Sequence, residues 1–122
     1  MKFSIGYPLN PVRGSSFFER MSPLLGHIAE LYFAWPGAPS ARSAAGSDFG
    51  IIDYGAPDEL LDELAAFRSA GVKLALLFNG NCYGEDSMSY ALECRVCSVL
   101  AYMERTVGLP ETVTAASPSI AF

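Results

Sequence analysis

Residues 71–86, GVKLALLFNGNCYGED, decide how the chain is read, because their character changes in the middle. Residues 72–78 form a nearly unbroken apolar run, the pattern of a strand covered on both faces in a parallel sheet. Beyond Phe78 the chain turns polar and tight. Asn79, Gly80, Asn81, Cys82, Tyr83, Gly84, Glu85 and Asp86 set amides, a thiol, a phenol and two carboxylates just past the strand's carboxyl end. That is where α/β folds place their ligand sites.

Upstream of this strand the chain alternates strand and helix patterns. Residues 2–7 (KFSIGY) alternate Phe3, Ile5 and Tyr7 against Ser4 and Gly6, a first strand ended by the turn PLNP. Ser16 and Glu19 have the spacing of a capping box, and Phe17, Leu24, Leu25 and Ile28 supply a helical apolar stripe. Pro23 interrupts it, so the helix either restarts there with Ser22 as its cap or kinks. Residues 30–34 (ELYFA) read as a second strand, stopped by Trp35-Pro36-Gly37. A Gly/Ala/Ser/Pro-rich connection carrying Arg42, Asp48, Asp53 and Tyr54 then runs to Ala56, with Ile51 and Ile52 as a small extra strand inside it. Loops of that length are usually functional or mobile. Pro57, Asp58 and Glu59 open a helix that carries Leu60, Leu61, Leu64 and Phe67 on one face, Arg68 in its last turn and Gly71 past its end.

Downstream, Asp86 or Ser87 caps a long helix reaching Val107, closed by Gly108 and Pro110, and residues 113–117 form a fourth strand. The order βαβαβαβ predicts one α/β domain over residues 1–122 with a parallel sheet and right-handed crossovers. Two architectures fit: half of a (β/α)8 barrel, or a small open doubly wound sheet. PLNPVRG after the first strand lacks the GxGxxG spacing, which weakens a nucleotide-binding version of the open sheet.

Composition narrows the partners. With 122 residues, 51% of them hydrophobic and 17% charged, the chain can bury a core of its own. Its 8 basic and 13 acidic residues give a net charge of −5, which offers no electrostatic footprint for nucleic acid or an anionic membrane. The start MKFSIGYPLNP has too short an apolar run for a signal peptide, and three cysteines are no disulfide framework. A reducing, cytoplasmic setting is expected.

Each chemistry-bearing residue has a blander role to set against the functional one. Cys94 and Cys97 form a C-x-x-C, but inside the predicted helix rather than at its amino terminus, so they read as packed core cysteines. Cys82 follows a strand end beside Asn81 and Tyr83 and could act as a nucleophile, yet no base lies near it in sequence. His27, the single histidine, falls at the end of the first helix and reads as a terminal or surface residue, which disfavours a triad. Arg42, with Ser40 and Ser43, suits a carboxylate or phosphate, against the blander role of a solvated loop arginine. Asn79 and Asn81 can orient a polar substrate or serve their own turn, and Glu85 and Asp86 fit a helix amino terminus. Tyr7, Asn10, Trp35 and Ser117 follow strand ends. Catalytic residues, a metal set and a cofactor are not assigned.

The four strand ends, IGYPLNP, LYFAWPGAPSARSA, KLALLFNGNCYG and VTAASPSIAF, resemble the opening half of the TIM-barrel domain in the collagenase-like peptidases of unassigned catalytic type. The resemblance places a VYFG-like segment at residues 31–34, a Ser-Arg loop at Ser40, Arg42 and Ser43, and a V-x-V/L-x-x-N segment at residues 72–79. It implies a half-barrel whose ligand site is built from Arg42, Asn79, Asn81, Cys82, Tyr83, Trp35 and Ser117. Members of that family are roughly two to three times longer, and the cysteine set that holds an iron–sulfur cluster in several of them has no counterpart in these residues. A parallel sheet cut after four strands would expose two edges and an inward apolar layer. The expected partner is therefore a second copy or a second half-barrel chain. The alternative is an assembly module or remnant without independent activity.

Overall fold

The structure is a computed structural model and describes residues 1–8, 15–36, 56–78 and 90–115. Strands and helices alternate: β1 (Phe3–Gly6), α1 (Phe17–Met21), a 3-10 helix (Ser22–His27), β2 (Ile28–Ala34), α2 (Ala56–Ser69), β3 (Lys73–Phe78), α3 (Tyr90–Thr106) and β4 (Thr112–Ala115). The described strands make one four-stranded sheet in the order β1-β2-β3-β4, with every pair parallel. Strand order never reverses.

Local chemistry sets the first helix and its end. Ser16 caps α1 by accepting the Glu19 N–H at 3.2 Å, as its sequence spacing implies. Pro23 has no N–H to continue the ladder, and α1 stops at Met21. Ser22 does not cap a new helix: its N–H and its hydroxyl, at 2.8 Å, both bond the Glu19 carbonyl and close the old one. The remaining turn tightens to 3-10, ends at His27, and releases Ile28 into extended backbone. β2 therefore begins two residues before the expected Glu30. Ile28, read from sequence as part of the helical stripe, pairs with Phe3 instead, and the ladder slips between Phe3 and Ser4 to pass Ala29.

Three helices cover one face of the sheet. Leu31 and Phe33 of β2 and Leu74, Leu76 and Phe78 of β3 are buried against Leu60, Leu64 and Phe67 of α2 and Leu92, Val96 and Met103 of α3. All belong to one apolar cluster. Consecutive crossovers of one hand, always stepping in the same direction, put every helix on the same side, and the cluster has that form. Phe67 is fully buried, with Phe17 and Phe18 of α1 packed on its ring at centroid distances of 5.8 and 5.1 Å.

The opposite face is organised in rows by the strand register. Ser4, Glu30 and Lys73 stand side by side; then Gly6, Tyr32, Ala75 and Thr112; then Ala34, Leu77 and Thr114. This face is mixed, not the apolar layer expected of a cut barrel. The apolar run of residues 72–78 hides the alternation, because Ala75 and Leu77 point away from the side that takes Leu74, Leu76 and Phe78.

At the amino-terminal end of the sheet, α2 is tied to the start of β4. Arg68 donates to the Val107 carbonyl at 2.7 Å, to the Leu109 carbonyl, and to Glu111 Oε1 at 3.0 Å. Glu111 accepts the Leu74 N–H at 2.7 Å, and its own N–H bonds the Leu74 carbonyl at 2.9 Å. Gly108 makes the turn possible with φ +93°, in the left-handed region that side chains avoid.

Candidate functional site

In a parallel sheet of this kind the ligand-binding end is the one where the strands finish. Of the seven residues assigned to it from sequence, Trp35 lies in the described structure. Arg42, Asn79, Asn81, Cys82, Tyr83 and Ser117 fall outside the described residues, as do Asn10, Glu85, Asp86 and the extra strand at Ile51 and Ile52.

Trp35 directly follows β2 and is half-buried. Its ring meets Tyr102 of α3 edge to face, centroids 6.2 Å apart at 85°. The Tyr102 hydroxyl in turn donates to Asp58 Oδ1 at 3.3 Å, in the first turn of α2. An indole, a phenol and a carboxylate from three elements thus form a connected chain. Sequence alone does not single out Asp58 or Tyr102 as site residues. Asp58 carries a signal, since a helix that follows a parallel strand starts at the strand-end side; Tyr102 carries none beyond its aromatic ring.

Beside it, Tyr7 follows β1 and continues the ladder, its N–H bonding the Tyr32 carbonyl at 2.9 Å. Its ring packs edge to face on Phe17 at 5.6 Å. Burial pushes the phenol pKa up, and the carboxylates of Glu63 and Glu59 push it further. Glu63 also accepts the Phe18 N–H at 2.7 Å, which docks the start of α1 on α2. Carboxylates and aromatic rings therefore border this end among the described residues. That lining offers stacking faces and acceptors to a polar ligand with N–H donors.

His27 is exposed at the close of the 3-10 helix, immediately before β2 and so at the opposite end of the sheet from Trp35. This agrees with its reading as a surface residue. The cysteine expectation is overturned: Cys94 and Cys97 are both exposed free thiols. α3 spends Leu92, Val96, Val99 and Met103 on the core, and at about 100° per residue Cys94 and Cys97 fall on the far side of the helix. The same arithmetic on the sequence would have placed them there.

Among the described residues, no three or more His, Cys, Asp or Glu side chains are grouped to hold a metal ion. No helix among them is long and apolar enough to cross a membrane. Comparison of the chain with family models, with curated proteins and with solved structures gave no match.

Proposed function

We propose that the chain is a half-barrel related to the opening half of the collagenase-like peptidase TIM barrel, with a site for a peptide-like ligand at the strand carboxyl ends. The observation that carries this reading is the strand order. A doubly wound sheet reverses direction at a switch point and puts helices on both faces. Four parallel strands in the order 1-2-3-4, with the described helices on one face, instead support the winding expected of successive barrel strands. In this reading Trp35 and Tyr102 form an aromatic wall beside Asp58, and Arg42, Asn79, Asn81, Cys82, Tyr83 and Ser117 complete the site.

Trp35 is the only tryptophan, so its fluorescence reports directly on this end of the sheet. Titration with peptides from a gelatin digest should change its emission saturably. Arg42→Ala and Asn79→Ala should each weaken that binding at least tenfold while leaving the far-ultraviolet circular dichroism unchanged. Equal affinity in both variants would remove the proposed site.

A second reading, an assembly module without independent activity, is favoured by the sheet edges. β1 and β4 are four residues each, and β4 is exposed throughout, with Phe3 and Val113 open to solvent at the two edges. Such edges are templates for pairing with another strand. A second copy pairing β4 with β1 of its partner at both seams would complete eight parallel strands. Proline at Ser4 or at Thr114 should abolish self-association; unaltered assembly in both would exclude these edges.

A further inference from the structure

Cys94 and Cys97 take no part in the site above, and the core does not use them. Both thiols are free and exposed, three residues apart on α3, so they stand on adjacent turns of one helix face. Tyr90, one turn before Cys94 and 77% exposed, belongs to the same face and makes a side-chain hydrogen bond with Cys94.

Two reactions are open to such a pair, and geometry separates them. A disulfide needs Cβ atoms about 3.5–4.5 Å apart, whereas residues on adjacent helical turns hold theirs about 5–6 Å apart. Closing that gap would distort the middle of a 17-residue helix. Two metal–sulfur bonds of about 2.3 Å each, set nearly in line, span roughly 4–5 Å and need no such distortion. The number of ligands then selects the ion. Tetrahedral Zn²⁺ wants four ligands, and no third His, Cys, Asp or Glu joins the pair among the described residues. Cu(I) is soft, prefers thiolates and is satisfied by two.

We propose that Cys94 and Cys97 form a two-coordinate dithiolate site for Cu(I) on the solvent face of α3. Binding replaces two S–H bonds by two S–Cu bonds. Two protons are released, the ion keeps its oxidation state, and the Cu(dithiolate) unit carries one negative charge.

The test is an anaerobic titration of the intact chain with Cu(I) held by a chromophoric chelator, read by chelator absorbance and by native mass. The parent should take one Cu(I) per chain, and bound metal should protect both thiols from alkylation. Cys94→Ser and Cys97→Ser should each weaken binding at least 100-fold with the circular dichroism unchanged, while Cys82→Ser should bind as the parent does. Parent-like affinity in either the Cys94 or the Cys97 variant would overturn the site. So would a dependence on Cys82, copper found only in a two-chain species, or equal retention of Zn²⁺.

Discussion

Replacing Arg68 by Ala should be among the most damaging single changes outside the apolar core. The guanidinium holds three acceptors at once: the Val107 and Leu109 carbonyls and the Glu111 carboxylate. The bond to Val107 is part-buried, and its loss leaves a carbonyl poorly reached by water, at about 1.5–3 kcal/mol for a charge-assisted bond. The other two are exposed, with the Glu111 side chain 42% accessible, so water replaces them and together they contribute roughly 0–1 kcal/mol. The sum is about 1.5–4 kcal/mol, a large part of the roughly 5–15 kcal/mol that domains of this kind possess. At roughly 4 °C per kcal/mol this lowers Tm by about 6–16 °C. Urea unfolding followed by far-ultraviolet circular dichroism, at one fixed protein concentration, measures it. Arg68→Lys should fall in between, because one ammonium cannot span three acceptors. A loss below about 0.5 kcal/mol in Arg68→Ala, no more than an ordinary surface substitution costs, would show that the turn between α3 and β4 stands without the clamp.

Related changes have distinct signatures. Gly108→Ala puts a side chain on backbone at φ +93° and its Cβ into the Arg68 guanidinium, so it should cost about 2–3 kcal/mol in urea unfolding; a cost under about 1 kcal/mol would mean the turn relaxes freely. Burial works to raise the Glu111 pKa, but hydrogen bonds from the Leu74 N–H, its own N–H and Arg68 outweigh it and hold the carboxyl below its ordinary value. With the folded pKa depressed, this stabilisation is full above the ordinary carboxylate range and fades as pH falls through the folded value. Glu111→Gln should therefore flatten the acid limb of the stability profile, and an unchanged acid limb would contradict the assignment. Phe67→Ala empties the contact between α1 and α2 and should cost about 3–5 kcal/mol, with the urea midpoint as readout; an unshifted midpoint would mean that Phe17 and Phe18 repack without it.

Much of this architecture is legible because local and periodic signals agree. The stripe Leu60, Leu64, Phe67 places α2; Ser16 and Glu19 place the start of α1; Gly71 and Gly108, both at positive φ, mark where helices end. Among the expectations that fail, two show the physical reason most clearly. Ile28 fits a helical stripe on spacing alone, but Pro23 tightens the turn before it and frees it for β2. The cysteines of α3 depart from the usual burial of free thiols, because the competing stripe Leu92, Val96, Val99, Met103 claims the core face. Asp58 and Tyr102 illustrate a different limit: their bond joins residues 44 apart, a pairing that no local pattern encodes. Sheet order is likewise beyond the pattern, since βαβαβαβ is compatible with both a reversing and a non-reversing sheet.

Among the described residues the sheet winds in one direction and its short edge strands β1 and β4 pair with no further strand, and we propose that a partner strand pairs at each. Native mass spectrometry under conditions that preserve subunit contacts tests this most directly. A species at twice the 13.1 kDa chain mass, reduced to single chains by proline at Ser4 or Thr114, is the predicted result. A stable 13.1 kDa species at all concentrations would contradict it, because the β1 and β4 edges would then need no partner strand.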